Sequence, residues 1–142
     1  HPGIPSAVPD MVELTVDLRN PDDDAMARAE DALDAFLHEL EERWPGLAIS
    51  VRRMARTRHV PFDPEVQKAV AAAADDLGLS HRGILSGAGH DAQELASICP
   101  TAMVFVPGLY DGISHNPREY STPEACADGV SVLATVVRRL AG

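Results

Sequence analysis

Cysteine, aromatic side chains and basic residues are all scarce in this chain of 142 residues. Its two cysteines, Cys99 and Cys126, form no disulfide framework, so we interpret them as reduced, buried side chains of a cytoplasmic protein. Aromatic residues make up only 4% of the chain, so alanine and aliphatic side chains must fill the core. Twelve Lys and Arg stand against 22 Asp and Glu, and the net charge of −10 argues against binding to nucleic acid or to an anionic membrane.

Long apolar runs and several well-known enzyme motifs are also missing. No run approaches the ~18 apolar residues of a membrane-spanning helix, and we expect no signal peptide because the first residues lack its pattern. The sequence has no GxSxG motif, no Walker loop, no dinucleotide fingerprint and no HExxH zinc motif. Any chemistry must therefore be sought in the less regular segments.

The chain does contain alternating strand and helix patterns, which predict an α/β protein. Apolar residues alternate over 11–18, and a long helix is predicted from Asn20-Pro21 to just before Pro45-Gly46. Helices are also predicted after Asp63 and Thr122, the last with an inward face of Cys126, Val130, Leu133, Val137 and Leu140. Further short segments are predicted as strands at 47–54, 80–85 and 101–106, and as a helix at 91–98.

The segment “RRMARTRH” at 52–59 interrupts these patterns and is the best candidate for a domain boundary. The sequence therefore predicts two parts, residues 1–57 and residues 58–142. The first reads as strand, helix and strand, with the helix on one face of a sheet. The second reads as βα units of a layered sheet, in which ligands gather at the carboxyl ends of the strands.

Two glycine-rich loops in the second part carry histidines. In “SGAGHDA” at 86–92, His90 and Asp91 follow Gly89. One interpretation is an ordinary glycine turn into a helix. The other is a ligand site, in which glycines permit close backbone approach and a histidine polarises a carbonyl group.

The second loop, “DGISHNPREY” at 111–120, contains His115 outside any periodic element. It is either a surface histidine or a metal ligand, because neutral imidazole is the commonest metal-binding side chain. One further hypothesis is a small mononuclear metal site in which His90, Asp91 and His115 converge, with Asp111 as another candidate. Zinc usually needs three or four protein ligands, so His115 alone does not make a site.

Arg19 stands at the end of the first predicted strand. It is either a solvated side chain near the acids at 22–24 or a planar fork for a substrate carboxylate.

Five strings occur in order along the chain: “SAVPDMVELTVDLRNPDD” at 6–23, “VPFDP” at 60–64, “SGAGHDA” at 86–92, “PTAMVFVP” at 100–107 and “DGISHNPREY” at 111–120. Taken together, they resemble the C-terminal portion of the zinc-dependent amidase/hydantoinase/carbamoylase family. That family includes N-carbamoyl-L-amino-acid hydrolases and allantoate amidohydrolases, and it lies within the aminoacylase-like metallopeptidase superfamily. The resemblance implies that residues 1–57 are part of a ferredoxin-like dimerisation (lid) lobe. Residues 58–142 would be the C-terminal part of the catalytic zinc-hydrolase domain.

The resemblance also implies roles for individual residues. His115 would be a ligand in a two-metal site that holds zinc, or manganese, cobalt or nickel. Arg19 would grip the substrate's α-carboxylate, and the backbone of Gly89 would face the substrate beside His90 and Asp91. Ser6 stands where the family usually has an Asn, so one contact to the carboxylate would be shorter or lost.

The family's other metal ligands and its general base lie in an N-terminal portion that this sequence does not include. We therefore expect this chain to be the C-terminal part of an amidohydrolase, inactive alone and completed by a missing N-terminal portion or a partner chain. The enzyme would act on a small carboxylate substrate as a cytoplasmic homodimer. The alternative is a truncated, non-catalytic binding or dimerisation module.

Overall fold

The structure, a computed structural model, describes residues 5–142. In this range the chain forms four α-helices, namely α1 (Asp23–Arg43), α2 (Pro64–Asp76), α3 (Asp91–Leu95) and α4 (Pro123–Ala141), and one 3₁₀ turn at Tyr110–Gly112. The chain divides into two compact units. The first ends at His59 and the second is Val60–Gly142.

The segments predicted as strands are irregular chain, and none of residues 5–142 lies in a strand. A strand is stable only when its backbone groups pair with a neighbouring strand, and an alternating pattern does not supply that neighbour. In segment 11–18 the face expected to be half-buried is open to water, with Val12 and Leu14 about 70% exposed. The predicted helices are therefore present, although the one predicted at 91–98 ends at Leu95, and the predicted strands are absent from the described residues.

Helix α1 begins two residues later than an Asn20 cap would place it. The Asp22 carboxylate accepts hydrogen bonds from the N–H groups of Asp24 and Ala25 at 2.9 and 3.0 Å, and Asn20 instead accepts from the N–H of Asp22 at 2.8 Å. The bonds from Ala25 and Asp24 hold the pKa of Asp22 below its ordinary value. At the other end the helix stops before Gly46, whose φ of 101° a residue with a side chain rarely adopts.

Acidic side chains of α1 hold the segment that follows it. Glu41 accepts a hydrogen bond from the N–H of Ile49 at 2.8 Å, Glu30 pairs with Arg56 at 2.9 Å, and Asp23 accepts from the N–H of His59 at 3.2 Å. The contacts move towards the start of α1 as the chain advances, so the segment runs antiparallel to the helix. In the first unit, polar contacts therefore connect α1 to the segment that follows it, whereas the sequence predicts a helix packed on a sheet.

The core of the second unit lies between α2 and α4. Asp63 caps α2 by accepting from the N–H groups of Glu65 and Val66, and Gly78, with a φ of 68°, follows the end of the helix. The buried core residues are Ala73, Ala74, Val132 and Val136. Arg139 of α4 forms an ion pair with Asp76 at the end of α2.

The predicted inward face of α4 is wrong by one residue position. Val132 and Val136 are buried with Gly129, whereas Val130 and Val137 are more than 60% exposed. Helix α4 is apolar on both sides, and periodicity alone does not tell which side meets α2. The prediction that Cys99 and Cys126 are buried is also wrong, since both residues are exposed.

Candidate functional site

The predicted site residues fall into the two units. Ser6 and Arg19 belong to the first unit, whereas Gly89, His90, Asp91 and His115 belong to the second.

The loop at 86–92 forms a compact turn into helix α3. The Ser86 hydroxyl donates to the carbonyl oxygen of Ala88 at 3.0 Å. His90 caps the helix, because its Nδ1 accepts from the N–H of Ala92 at 3.1 Å while Gln93 Oε1 accepts from the N–H of His90 at 3.1 Å. A neutral imidazole that accepts at Nδ1 carries its hydrogen on Nε2, so in this state the ring has no second lone pair for a metal. The histidine thus serves the helix start.

Gly89 is not needed for the shape of this turn. Its backbone lies outside the left-handed region, and an added Cβ would meet only Gln93 Oε1, at an ordinary contact distance of 3.4 Å. The absence of a side chain at Gly89 therefore leaves room beside the backbone, which suits the close approach of a ligand.

The loop at 109–120 is closed at its ends and held across its middle. The N–H of Leu109 donates to the carbonyl oxygen of Tyr120 at 2.8 Å. Between these ends Tyr110 and Asp111 adopt positive φ angles of 55° and 60°, and the Arg118 guanidinium lies 4.6 Å from the centre of the Tyr110 ring. These contacts give an exposed loop a defined conformation.

His115 also has left-handed backbone, with a φ of 54°. Its N–H donates to Oε2 of Glu119 at 3.0 Å, and the N–H of Glu119 donates to the carbonyl oxygen of Asn116 at 2.9 Å. The sequence prediction overlooked Glu119. The Asn-Pro pair at 116–117 was the signal that could have found it, because such a pair starts a turn that returns the fourth residue to the first.

The structure does not bring His90, Asp91 and His115 together. Within the described range of the chain, no group of three or more His, Cys, Asp or Glu side chains could hold a metal ion. The hypothesis of a mononuclear metal site built from these residues is therefore wrong, and Asp111 does not complete one.

Arg19 is held by an ion pair with Asp17. Its Nε lies 3.0 Å from Asp17 Oδ1 and its Nη2 lies 2.6 Å from Oδ2, with both side chains more than 60% exposed. The hydrogen bonds from Arg19 lower the pKa of Asp17, and the same bonds raise that of Arg19. A substrate carboxylate would therefore have to exchange with Asp17. Ser6 lies exposed in a turn at the start of the described chain.

A shallow groove of about 350 Å³ in the first unit involves none of the predicted site residues. It is lined by Asp34, Leu37, His38, Glu41, Ile49 and Val51. Two of its polar side chains are acids, which would repel a carboxylate substrate.

Comparisons with known proteins relate the chain to a family of hydrolases. The family model for peptidase family M20/M25/M40 matches residues 3–139. The chain is 36% identical over 132 residues to an N-carbamoyl-L-amino-acid amidohydrolase of Rhizobium meliloti, covering 93% of this chain and 31% of that protein. It is 34% identical over 147 residues to a ureidoglycolate hydrolase of Arabidopsis thaliana, covering 99% of this chain and 29% of that protein.

Solved structures give the same relationship. An amidase of the hydantoinase/carbamoylase family from Burkholderia multivorans superposes with a TM-score of 0.75 at 41% identity, over 84% of this chain and 29% of that one. The chain thus spans about a third of the length of the curated relatives it matches. No helix in residues 5–142 is long and apolar enough to cross a membrane.

Proposed function

We propose that this chain, which belongs to peptidase family M20/M25/M40, is part of a metal-dependent amidohydrolase. The enzyme would hydrolyse a C–N bond in N-carbamoyl-L-amino acids or related ureido and amide acids. The observation that carries the proposal is similarity over at least 93% of the chain to proteins named for that chemistry. The contacts that hold the loop around His115 also support it, because a side chain that binds a metal must be kept in a fixed position.

In this proposal His115 supplies one metal ligand and Arg19 binds the substrate's carboxylate. Gly89 offers its backbone to the substrate, and at Ser6, where the family usually has an Asn, one contact to the carboxylate is shorter or lost. Two features support these roles: the room beside Gly89 and the bidentate geometry that Arg19 already adopts with a carboxylate.

A divalent metal is general in this family, but the donors described in this chain do not fit a complete two-metal centre. No three potential ligands come together within residues 5–142, and His90 uses its Nδ1 to cap α3. The proposal therefore assigns one ligand, His115, to this chain and the remaining ligands to a further portion of the protein or a partner chain. The metal would be zinc, or manganese, cobalt or nickel in its place.

The larger architecture belongs to the same proposal. The unit that ends at His59 would be part of a ferredoxin-like dimerisation (lid) lobe, and Val60–Gly142 would be the C-terminal part of the catalytic α/β domain. The strands expected in both parts would form when neighbouring strands are present. We further propose a homodimer in the cytoplasm.

A second candidate is a non-catalytic binding or dimerisation module derived from the family. The observation that favours it is that no three potential metal ligands come together among the described residues. Such a module would keep the carboxylate contact of Arg19 without hydrolysis.

The test measures ammonia release from N-carbamoyl-L-amino acids by the protein as its source produces it, with each divalent metal in turn. We expect turnover that a chelator abolishes and that His115→Ala lowers by at least about 100-fold, since a metal supplies several kcal/mol of transition-state stabilisation. His81→Ala is the matched control, because that ring pairs with Asp75 and has no proposed role.

The outcomes separate the candidates. Turnover that survives the chelator, or that His115→Ala leaves unchanged, would contradict the metal-ligand role. Binding of the carbamoyl amino acid without ammonia release would support the binding module instead.

A further inference from the structure

We infer that Glu119 is a positioning residue for His115. Its carboxylate holds the His115 backbone in the left-handed region and so fixes the direction in which the imidazole leaves the loop. The inference rests on the proposed function only for what the ring binds, because the backbone contact is present in this chain itself.

The first support is the conformation of His115. A φ of 54° is uncommon for a residue with a side chain, and such a conformation persists only when neighbouring contacts hold it. The N–H of His115 donates to Oε2 of Glu119 at 3.0 Å. A carboxylate acceptor makes this bond stronger than one to a neutral oxygen.

The second support is the turn that carries Glu119 back to His115. Pro117 fixes its own φ, Asn116 Oδ1 accepts from the N–H of Arg118 at 2.9 Å, and the Asn116 carbonyl oxygen accepts from the N–H of Glu119 at 2.9 Å. This turn reverses the chain, so the Glu119 side chain reaches the N–H that precedes the turn. The backbone hydrogen bond of the turn joins Asn116 and Glu119, and the acceptor for the His115 N–H is the Glu119 side chain.

The third support is that the residues on both sides of Glu119 are anchored to the opposite arm of the loop. The Arg118 guanidinium lies over the Tyr110 ring, and the Tyr120 carbonyl oxygen accepts from the N–H of Leu109. The backbone on both sides of Glu119 is therefore held in place, and its carboxylate can keep a constant position next to the His115 N–H. The position of the imidazole is thereby coupled to the whole loop at 109–120.

The experiment uses hydrogen exchange of the His115 amide, measured by NMR on the full chain. Glu119→Leu removes the acceptor and should speed exchange about tenfold, the change expected for one lost hydrogen bond. Glu119→Gln keeps a side-chain oxygen at the same reach and should restore slow exchange. Asp128→Leu is the control, since it removes an exposed carboxylate elsewhere in the second unit. Slow exchange of the Leu109 amide in every variant would show that the loop remains folded.

The same variants are then assayed for metal-dependent turnover in the protein as its source makes it. Loss of turnover in Glu119→Leu with recovery in Glu119→Gln supports the inference. Unchanged exchange of the His115 amide in Glu119→Leu overturns it, whatever the turnover. Faster exchange with undiminished turnover also overturns the positioning role, whereas the ligand role in the proposed function fails only if His115→Ala leaves turnover unchanged, so the two failures are distinguishable.

Discussion

At the scale of single residues, the pair Asp17 and Arg19 has the clearest chemical meaning. The guanidinium already binds a carboxylate through two nitrogen atoms, in the geometry that a substrate carboxylate would use. Because both side chains are exposed, water and salt weaken the ion pair. Replacing Asp17 by an incoming carboxylate therefore costs little free energy. Asp17 therefore competes with the proposed substrate for Arg19.

We predict that Asp17→Asn lowers the KM for an N-carbamoyl-L-amino acid several-fold, because it removes that competing charge. Arg19→Ala should raise the KM, and Asp31→Asn on α1 controls for the change in net charge. The measurement is the KM of each variant in the protein as its source makes it, at constant ionic strength. A higher KM in Asp17→Asn would mean that Asp17 orients Arg19 for the substrate.

The residues of the candidate site were easier to predict from the sequence than the groups that they contact in the structure. The strings around Gly89, His90 and His115 single out two loops, and both loops do have defined conformations. The roles of His90 as a helix cap and Glu119 as an acceptor depend on side-chain rotation and on the direction of a turn. Neither can be read from residue spacing alone, which explains why the metal cluster was expected and is absent from the described residues.

At the scale of helices and strands, the features that could be predicted are those that depend on residues close together in the sequence. Helix α2 begins after Asp63, as expected, because a capping carboxylate acts on the residues next to it, and the left-handed Gly78 follows the end of the helix. Strand pairing and the buried face of α4 depend on partners distant in sequence, so the pattern left them undetermined.

The start of helix α1 should be sensitive to acid. Backbone hydrogen bonds lower the pKa of Asp22 in the folded chain, so its contribution to stability is complete above the ordinary value of 3.8 and is lost as the pH falls through the lowered pKa. We predict that helical circular dichroism decreases below about pH 4 and that Asp22→Asn makes this decrease smaller. Identical acid profiles for the two proteins would contradict the prediction.

Helix α4 should not tolerate a side chain at Gly129. A Cβ there would lie 2.5 Å from Val106 Cγ1, so Gly129→Ala requires the packing to move. We predict a loss of about 1 to 3 kcal/mol in the free energy of unfolding, as is usual for overpacking. The measurement is urea denaturation in a double-mutant cycle with Val106→Ala, which opens the same space. Additive effects of the two substitutions would show that this contact does not limit the packing.

At the scale of the whole molecule, little of the apolar surface is buried. The small core of the second unit leaves Val130, Leu133, Val137 and Leu140 of α4 between 50 and 65% exposed. A continuous apolar stripe of this kind is unusual on a soluble monomer. The alternation of helix and strand patterns predicts a larger α/β sheet that would cover such surfaces, and the related amidases are about three times as long.

We predict that the chain enhances the fluorescence of an apolar dye such as anilinonaphthalene sulfonate, because the stripe remains in contact with water. Leu133→Glu combined with Val137→Glu should reduce this signal, whereas Ser131→Glu, at another exposed position of the same helix, should not. Dye fluorescence equal to that in buffer would show that the stripe is covered in solution.

The two ends of the loop at 109–120 are joined by a hydrogen bond, so this segment could be transferred to another protein. Since Leu109 and Tyr120 already meet through a hydrogen bond, the stretch could be grafted between adjacent strands of an unrelated scaffold, or cyclised as a synthetic peptide, without stretching its ends apart. Such a transplant would carry an imidazole on a preset backbone into proteins that have no hydrolase ancestry.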